Sequence, residues 1–185
     1  MRRKMAIVVV AAALSFFFAG QASAYVVNGP KWPGSNASAT WYLDSSVPSG
    51  WSSAIGAGAS EWNHITLFTF VQLGSSNPVL ASDLGDISSG APLAQAYWRW
   101  DSQTLIINYA QTTFNTNSSI KWSTSGASDS FDVQTAAAHE FGHWLSLGHS
   151  SDSTAVMYAY LDYGQTKHSL SADDQSGIKA IYENP

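Results

Sequence analysis

Apolar and polar positions change rhythm several times along the chain, and each change marks an element. An apolar run over residues 5–20 follows Arg2, Arg3 and Lys4 and leads to Ala22-Ser23-Ala24. A basic start, a short apolar stretch and a small-residue cleavage pattern predict a secretory signal peptide at residues 1–24; the run is short for a membrane span and is interrupted by Ser15. Residues 25–39, rich in Gly, Pro, Ser and Asn, predict an extended arm. Residues 40–43 (Thr-Trp-Tyr-Leu) form a first strand. Over 49–64, Trp51, Ala54, Ile55, Ala59 and Trp62 recur near helical spacing, which predicts a helix even though Gly56 and Gly58 each weaken it by about 1 kcal/mol relative to Ala. Alternating, aromatic and β-branched residues at 66–72 predict a strand, and 74–90 a loop. Residues 94–100 and 104–109 form a hairpin around Asp101-Ser102-Gln103, with Trp98 and Trp100 on one face, expected in the core or half-buried, the alternative being an exposed platform for a sugar or a peptide. Residues 115–130 are polar and turn-rich. From Asp132, an N-cap or first-turn acid, Val133, Ala136, Ala137, Phe141, Trp144 and Leu145 mark the apolar side of a central helix. Ser171 and the acids after it open a last helix that docks through Ile178, Ile181 and Tyr182.

Residues 25–185 are enough for one domain with a core of its own. Three of the eight Lys and Arg residues belong to the leader, leaving five against thirteen Asp and Glu. An acidic chain without a basic stripe excludes nucleic acid and, once the leader is removed, an anionic membrane as partners. Cysteine is absent, which rules out disulfides, a cysteine nucleophile and cysteine metal ligands. A polar, weakly charged composition behind a leader suits an extracellular protein, expected as a monomer.

The chemistry concentrates in residues 139–149, HEFGHWLSLGH. His139 and His143 stand four apart, so a helix stacks their imidazoles on one face within reach of one metal ion. Glu140 projects from the flank of that face, placed to hydrogen-bond a water at the metal without being a ligand. His149 is too far along to join them on a straight helix. The helix must therefore end and the chain turn back. Three neutral imidazoles leave a tetrahedral Zn2+ one open position, the arrangement of a catalytic site.

This stretch resembles the zinc-binding segment of the metzincin metallopeptidases, and within them the matrixins, the matrix-metalloproteinase family. The family pattern is HExxHxxGxxH followed by a tight turn carrying Met. Ala155-Val156-Met157-Tyr158 lies at the matrixin spacing, Leu170 to Asp174 with Gly177-Ile178 is similar to the family's last helix, and Pro30-Lys31-Trp32 to its start. The resemblance implies an α+β fold: a twisted, mostly parallel β-sheet with two helices, one carrying the active site, and a small C-terminal subdomain with a last helix. It further implies a secreted zinc endopeptidase acting on protein or peptide substrates, with His139, His143 and His149 as zinc ligands, Glu140 as general base and Met157 beneath the site. It also implies that the ammonium of Tyr25 pairs with Asp173. A leader running straight into the domain suggests a minimal, bacterial-type form without a propeptide.

Several departures from the pattern carry information. The family Gly between the second and third His is Ser146 here, with a glycine displaced to Gly148, so the turn rests either on a strained Ser146 or on Gly148. Ala159 replaces the Pro after the Met-turn Tyr and also leaves no extra Tyr ligand. Outside the motif only His64, expected at the surface, and His168 remain, too few for a second zinc. Asp83, Asp86, Asp101 and Asp162 fall in loops and define no assignable Ca2+ ligand set. The alternative to a peptidase is a zinc-retaining, non-catalytic module that binds protein or polysaccharide, and an intact Glu140 speaks against it.

Overall fold

The computed structural model describes residues 6–7, 24–34 and 36–183; apart from β1 (Ala6–Ile7) and Ala24, the leader expected at 1–24 lies outside the described residues. An extended arm leads into β2 (Ser38–Leu43), followed by a 3-10 turn (Ser49–Trp51) running into α1 (Ser52–Ser60). Next come β3 (Thr69–Gln72), β4 (Pro78–Ser82), a second 3-10 turn (Ile87–Ser89), and the hairpin of β5 (Ala94–Asp101) and β6 (Ile106–Asn115). The short pair β7 (Trp122–Ser123) and β8 (Phe131–Asp132) precedes α2 (Val133–Trp144); β9 (Tyr160–Leu161) and α3 (Ala172–Tyr182) close the chain.

The main sheet has the order β3-β2-β4-β6-β5, parallel throughout except for the β5–β6 hairpin. The mostly parallel α+β architecture expected from the sequence is therefore present. The helix expected over 49–64 is shorter, ending at Ser60, and His64 is exposed with φ 72°. The expected loop at 74–90 instead contains β4, the middle strand of the sheet. Its five residues begin with Pro78, whose missing N–H is tolerated at a strand's first position. Asn77 precedes it with φ 62° and is buried. Its side chain donates to Thr40 O (2.8 Å) and accepts from Ala110 N (2.8 Å), bridging β2 and β6 where β4 has not yet begun.

Helices α1 and α2 pack on the sheet against each other, and a glycine sets their separation. A Cβ at Gly58 would lie 2.7 Å from Ala138 N and 2.8 Å from Gln134 O. What the sequence pattern shows as a weak spot in α1 is thus the contact that lets α2 approach. Indole N–H groups tie the layers together: Trp62 donates to Ala138 O (2.8 Å), Trp144 to Thr112 Oγ1 (2.9 Å) and Trp32 of the arm to Trp144 O (2.8 Å). Each buried indole thereby keeps a partner for its one polar atom. Trp98 is half-buried against the same core, its ring centroid 4.9 Å from that of the more exposed Trp100.

Gly58→Ala sets a helix-propensity gain of about 1 kcal/mol against overpacking onto the α2 backbone, which costs typically 1–3 kcal/mol. Backbone atoms cannot swing aside as a flexible side chain does, so the expected outcome is net destabilisation, read as a lower urea midpoint.

Candidate metal centre

Helix α2 starts where Asp132 caps it. The carboxylate accepts from Thr135 N (2.7 Å) and Thr135 Oγ1 (2.8 Å), and His168 Nε2 lies 2.8 Å from the same oxygen. Asp132 is thus the N-cap, and His168 braces the helix start. The helix ends in a complete Schellman turn: Leu147 N donates to Gly142 O (3.2 Å) and Ser146 N to His143 O (2.9 Å). Ser146 occupies the left-handed position of that turn at φ 73°, whereas Gly148 is absent from the positive-φ glycines. Of the two turns the sequence allows, the strained serine is the one present. Its buried Oγ has no partner. Gly148 serves differently, by donating its N–H to Val26 O (2.8 Å) of the arm.

The reversal brings the three imidazoles together. His139, His143 and His149 offer ligand atoms within 4.8 Å of one another. His139 Nδ1 lies 2.8 Å from Val156 O and His143 Nδ1 2.7 Å from Leu147 O. A carbonyl only accepts, so each Nδ1 carries the proton and each Nε2 a bare lone pair. These two Nε2 atoms face each other at 3.0 Å, and the buried Nε2 of His149 has no partner. Burial, followed by the neighbouring imidazoles, holds His139 well below its ordinary pKa; burial and then His149 lower His143 to about 3. Burial lowers His149 as well. Neutral lone pairs converging on one buried point fit a zinc ion.

Glu140 is fully buried on the flank of the triad, and neither carboxyl oxygen has a hydrogen-bond partner. Burial raises its pKa to about 8; the backbone N–H of Ala96 on β5 lies near enough to offset this in part, though not in hydrogen-bond geometry. Met157 is buried beneath the helix. Gly142 makes room for it, since a Cβ there would collide with Met157 Sδ and the Trp62 ring. The Met turn is held by Asp174 of α3, which accepts from Val156 N (2.8 Å), Met157 N (3.0 Å) and Ser171 N (2.8 Å). One oxygen of Asp173 accepts from Tyr25 N at 3.0 Å and the other from Ser150 Oγ at 2.7 Å, beside His149.

Gly142 and Asp174 are functional supports that the sequence reasoning did not single out. The signals were there, a Gly inside the histidine motif and the third-position acid of a capping box, but each needs its spatial neighbour to acquire meaning. Asp83, Asp86 and Asp101 accept from backbone N–H groups of their own turns, and the backbone N–H of Asp162 donates to Gln165 Oε1. Among the described residues, the three histidines are the one group of three or more His, Cys, Asp or Glu arranged to hold a metal. A cavity opens beside them between the first turns of α2 and the segment 156–161.

Fold and site define a zinc protein of the metzincin type: a two-histidine helix closed by a third histidine beyond a turn, over a buried methionine. The family signature described as Matrixin matches residues 51–183, and the chain belongs to that family. It is similar to "Metalloendoproteinase 2-MMP" of Arabidopsis thaliana, 29% identical over 176 residues, 83% of this chain and 43% of that protein. Over 62 residues it is 47% identical to "Matrix metalloproteinase-27" of Homo sapiens, covering 33% of this chain and 12% of that protein. Human "Neutrophil collagenase" is 45% identical over 62 residues, 33% of this chain and 13% of that protein. The chain spans less than half the length of these relatives.

Ser146→Gly relieves a left-handed conformation that costs a non-glycine residue roughly 1–2 kcal/mol and removes an unpartnered hydroxyl; the metal-free protein should melt higher. Gly148→Ala should change stability less, because its Cβ would meet Val26 Cβ at 3.0 Å on an exposed arm that can give. Zinc binding has its own proton signature. In the metal-free protein at pH 7 the histidines are already neutral, while Glu140, raised to about 8, holds a proton that a nearby dication drives off. Calorimetry in buffers of different ionisation enthalpy should show about one more proton released by the parent than by Glu140→Gln.

Proposed function

We propose that the chain is a secreted zinc endopeptidase that hydrolyses peptide bonds with Glu140 as general base. The observation that carries the reading is Glu140 itself, a fully buried carboxyl without a partner, set against three converging imidazoles. A stability-driven core would not retain such a group, because burying an unpaired carboxyl costs several kcal/mol. Strand β5 lies at the sheet edge nearest the site, so its outward backbone groups are free to pair with an extended polypeptide. Bound zinc, held by His139, His143 and His149, supplies a Lewis acid that polarises the scissile carbonyl and acidifies the attacking water. Glu140 takes the proton from that water as its oxygen adds to the carbonyl carbon. The same carboxyl then delivers the proton to the amide nitrogen. The C–N bond breaks, leaving a carboxylate and an amine. Beside the bound dication this carboxyl is ionised at neutral pH, the form that accepts a proton from water, despite the upward pull of burial. A purely binding module has no use for such a carboxyl.

The supporting residues keep the geometry. Met157 and Asp174 fix the floor, Ser146 and Gly148 the reversal that presents His149. Asp173 ties the chain start to the loop beside His149. Cleavage of the leader after Ala24 converts the Tyr25 N–H that now meets Asp173 into an ammonium, turning a hydrogen bond into a charge-assisted one.

Glu140→Ala should keep stoichiometric zinc and the fold while losing roughly two to four orders of magnitude in turnover of an unstructured protein. His143→Ala should lose the zinc instead. Undiminished digestion by the Glu140 variant would refute the mechanism. Extra residues placed before Tyr25 in the processed protein should lower activity by displacing the ammonium from Asp173; unchanged activity would remove that contact from the account.

A further inference from the structure

The cavity beside the triad is lined by Thr135, Ala136, His139, Val156, Leu161 and Lys167, among others. All but one are uncharged. Lys167 is the exception, a half-buried ammonium. Its Nζ donates to Ala155 O (2.7 Å) and Ser153 O (2.9 Å), and it sits 5.1 Å from the centroid of the Tyr158 ring. Two of its three N–H bonds are used on neutral carbonyls, which leaves one donor.

Among the described residues no carboxylate lies within ion-pair distance of Lys167. Asp152 and Asp174 are the acids whose charge it feels, and both are committed elsewhere. Asp152 takes bonds from Thr154 N and Oγ1; Asp174 holds Val156, Met157 and Ser171. The charge is also felt at His139 across the pocket, where it helps keep the imidazole neutral. A lysine ammonium is almost never fully buried unless paired, and even partial desolvation disfavours its charged form. Here the pocket is where a counter-ion can come from.

We propose that Lys167 makes this pocket a subsite for an acidic side chain, so that the protein selects Glu or Asp next to the scissile bond. The inference rests on the peptidase reading and deepens it by naming a substrate class. The carboxylate enters past His139, widening a cavity that in this structure has room for about one water, and meets the free N–H of Lys167. It replaces the missing counter-ion and gives a charge-assisted bond that a neutral side chain of the same shape cannot match. Tyr158 and Leu161 clasp its methylene groups.

The test uses zinc-loaded protein and three peptide hydroxamates that differ only in the side chain adjoining the chelating group: Leu, Gln or Glu. The hydroxamate anchors each on the metal, so that side chain samples the neighbouring pocket, and calorimetry reads Kd without turnover. The Glu probe should bind about tenfold tighter than the isosteric Gln probe. In Lys167→Gln, which keeps a donor for the two carbonyls, that difference should vanish while zinc content and melting temperature hold. Equal or weaker binding of the Glu probe overturns the proposal, as does a preference that survives in Lys167→Gln. Digestion of an unstructured protein by the parent enzyme is scored separately. Peptidase activity with no acid preference sinks the subsite alone; absence of both digestion and hydroxamate binding sinks the reading beneath it as well.

Discussion

Three imidazoles can share one metal ion only if none carries a proton on the nitrogen facing it. Here the requirement is met by two backbone carbonyls, Val156 O and Leu147 O, which claim the Nδ1 protons of His139 and His143. Both carbonyls belong to chain that has left the helix, one in the Met turn and one just past the Schellman turn. The tautomers of the ligands thus depend on how two loops fold back onto α2. The site is a property of those loops as much as of the helix.

The surrounding structure serves to keep these carbonyls in place. Asp174 satisfies consecutive N–H groups of the Met turn from a buried position, so the turn that carries Val156 O has little freedom. The other loop is fixed through the arm, since Asn28 N donates to Ser146 O (2.8 Å) and Gly148 N to Val26 O (2.8 Å). Strain at Ser146 is tolerated because both flanks are tied down. A left-handed serine costs roughly 1–2 kcal/mol, against roughly 10 kcal/mol or more for a tightly bound structural zinc.

Packing against the sheet explains why the helix can carry so many polar groups in its buried face. His139, Glu140 and His143 are all almost inaccessible, yet α2 stays anchored by Phe141, Trp144 and the close contact at Gly58. The aromatic rings of Trp41, Phe70, Phe141 and Trp144 meet edge-on or tilted with centroids 4.9–6.2 Å apart. Apolar burial on one side offsets the desolvation of the ligands on the other.

The sequence by itself determined the elements whose information is local. Four-residue spacing places His139 and His143 on one helical face whatever surrounds them, Asp132 and Ser171 cap their helices through bonds within one turn, and strand alternation marks the β5–β6 hairpin. The mostly parallel sheet and the Met turn were legible through the family pattern carried by the same residues. Tertiary structure decided what depends on distant partners. Strand β4 reads as loop because five residues show little period, and it becomes the middle strand only when β2 and β6 supply hydrogen bonds on either side. Gly58 and Gly142 look like helix weaknesses until α2, Met157 and Trp62 occupy the space a Cβ would need. Ser146 and Gly148 offered two ways to turn, and the folded chain takes the first, with Ser146 at φ 73° and the arm bonded beside it. Lys167 is one cation among five downstream of the leader until the fold sets it, without a carboxylate, in the wall of the cavity beside His139. Charge is written in the sequence, but whether it is compensated depends on which groups the folded chain brings within a few ångströms.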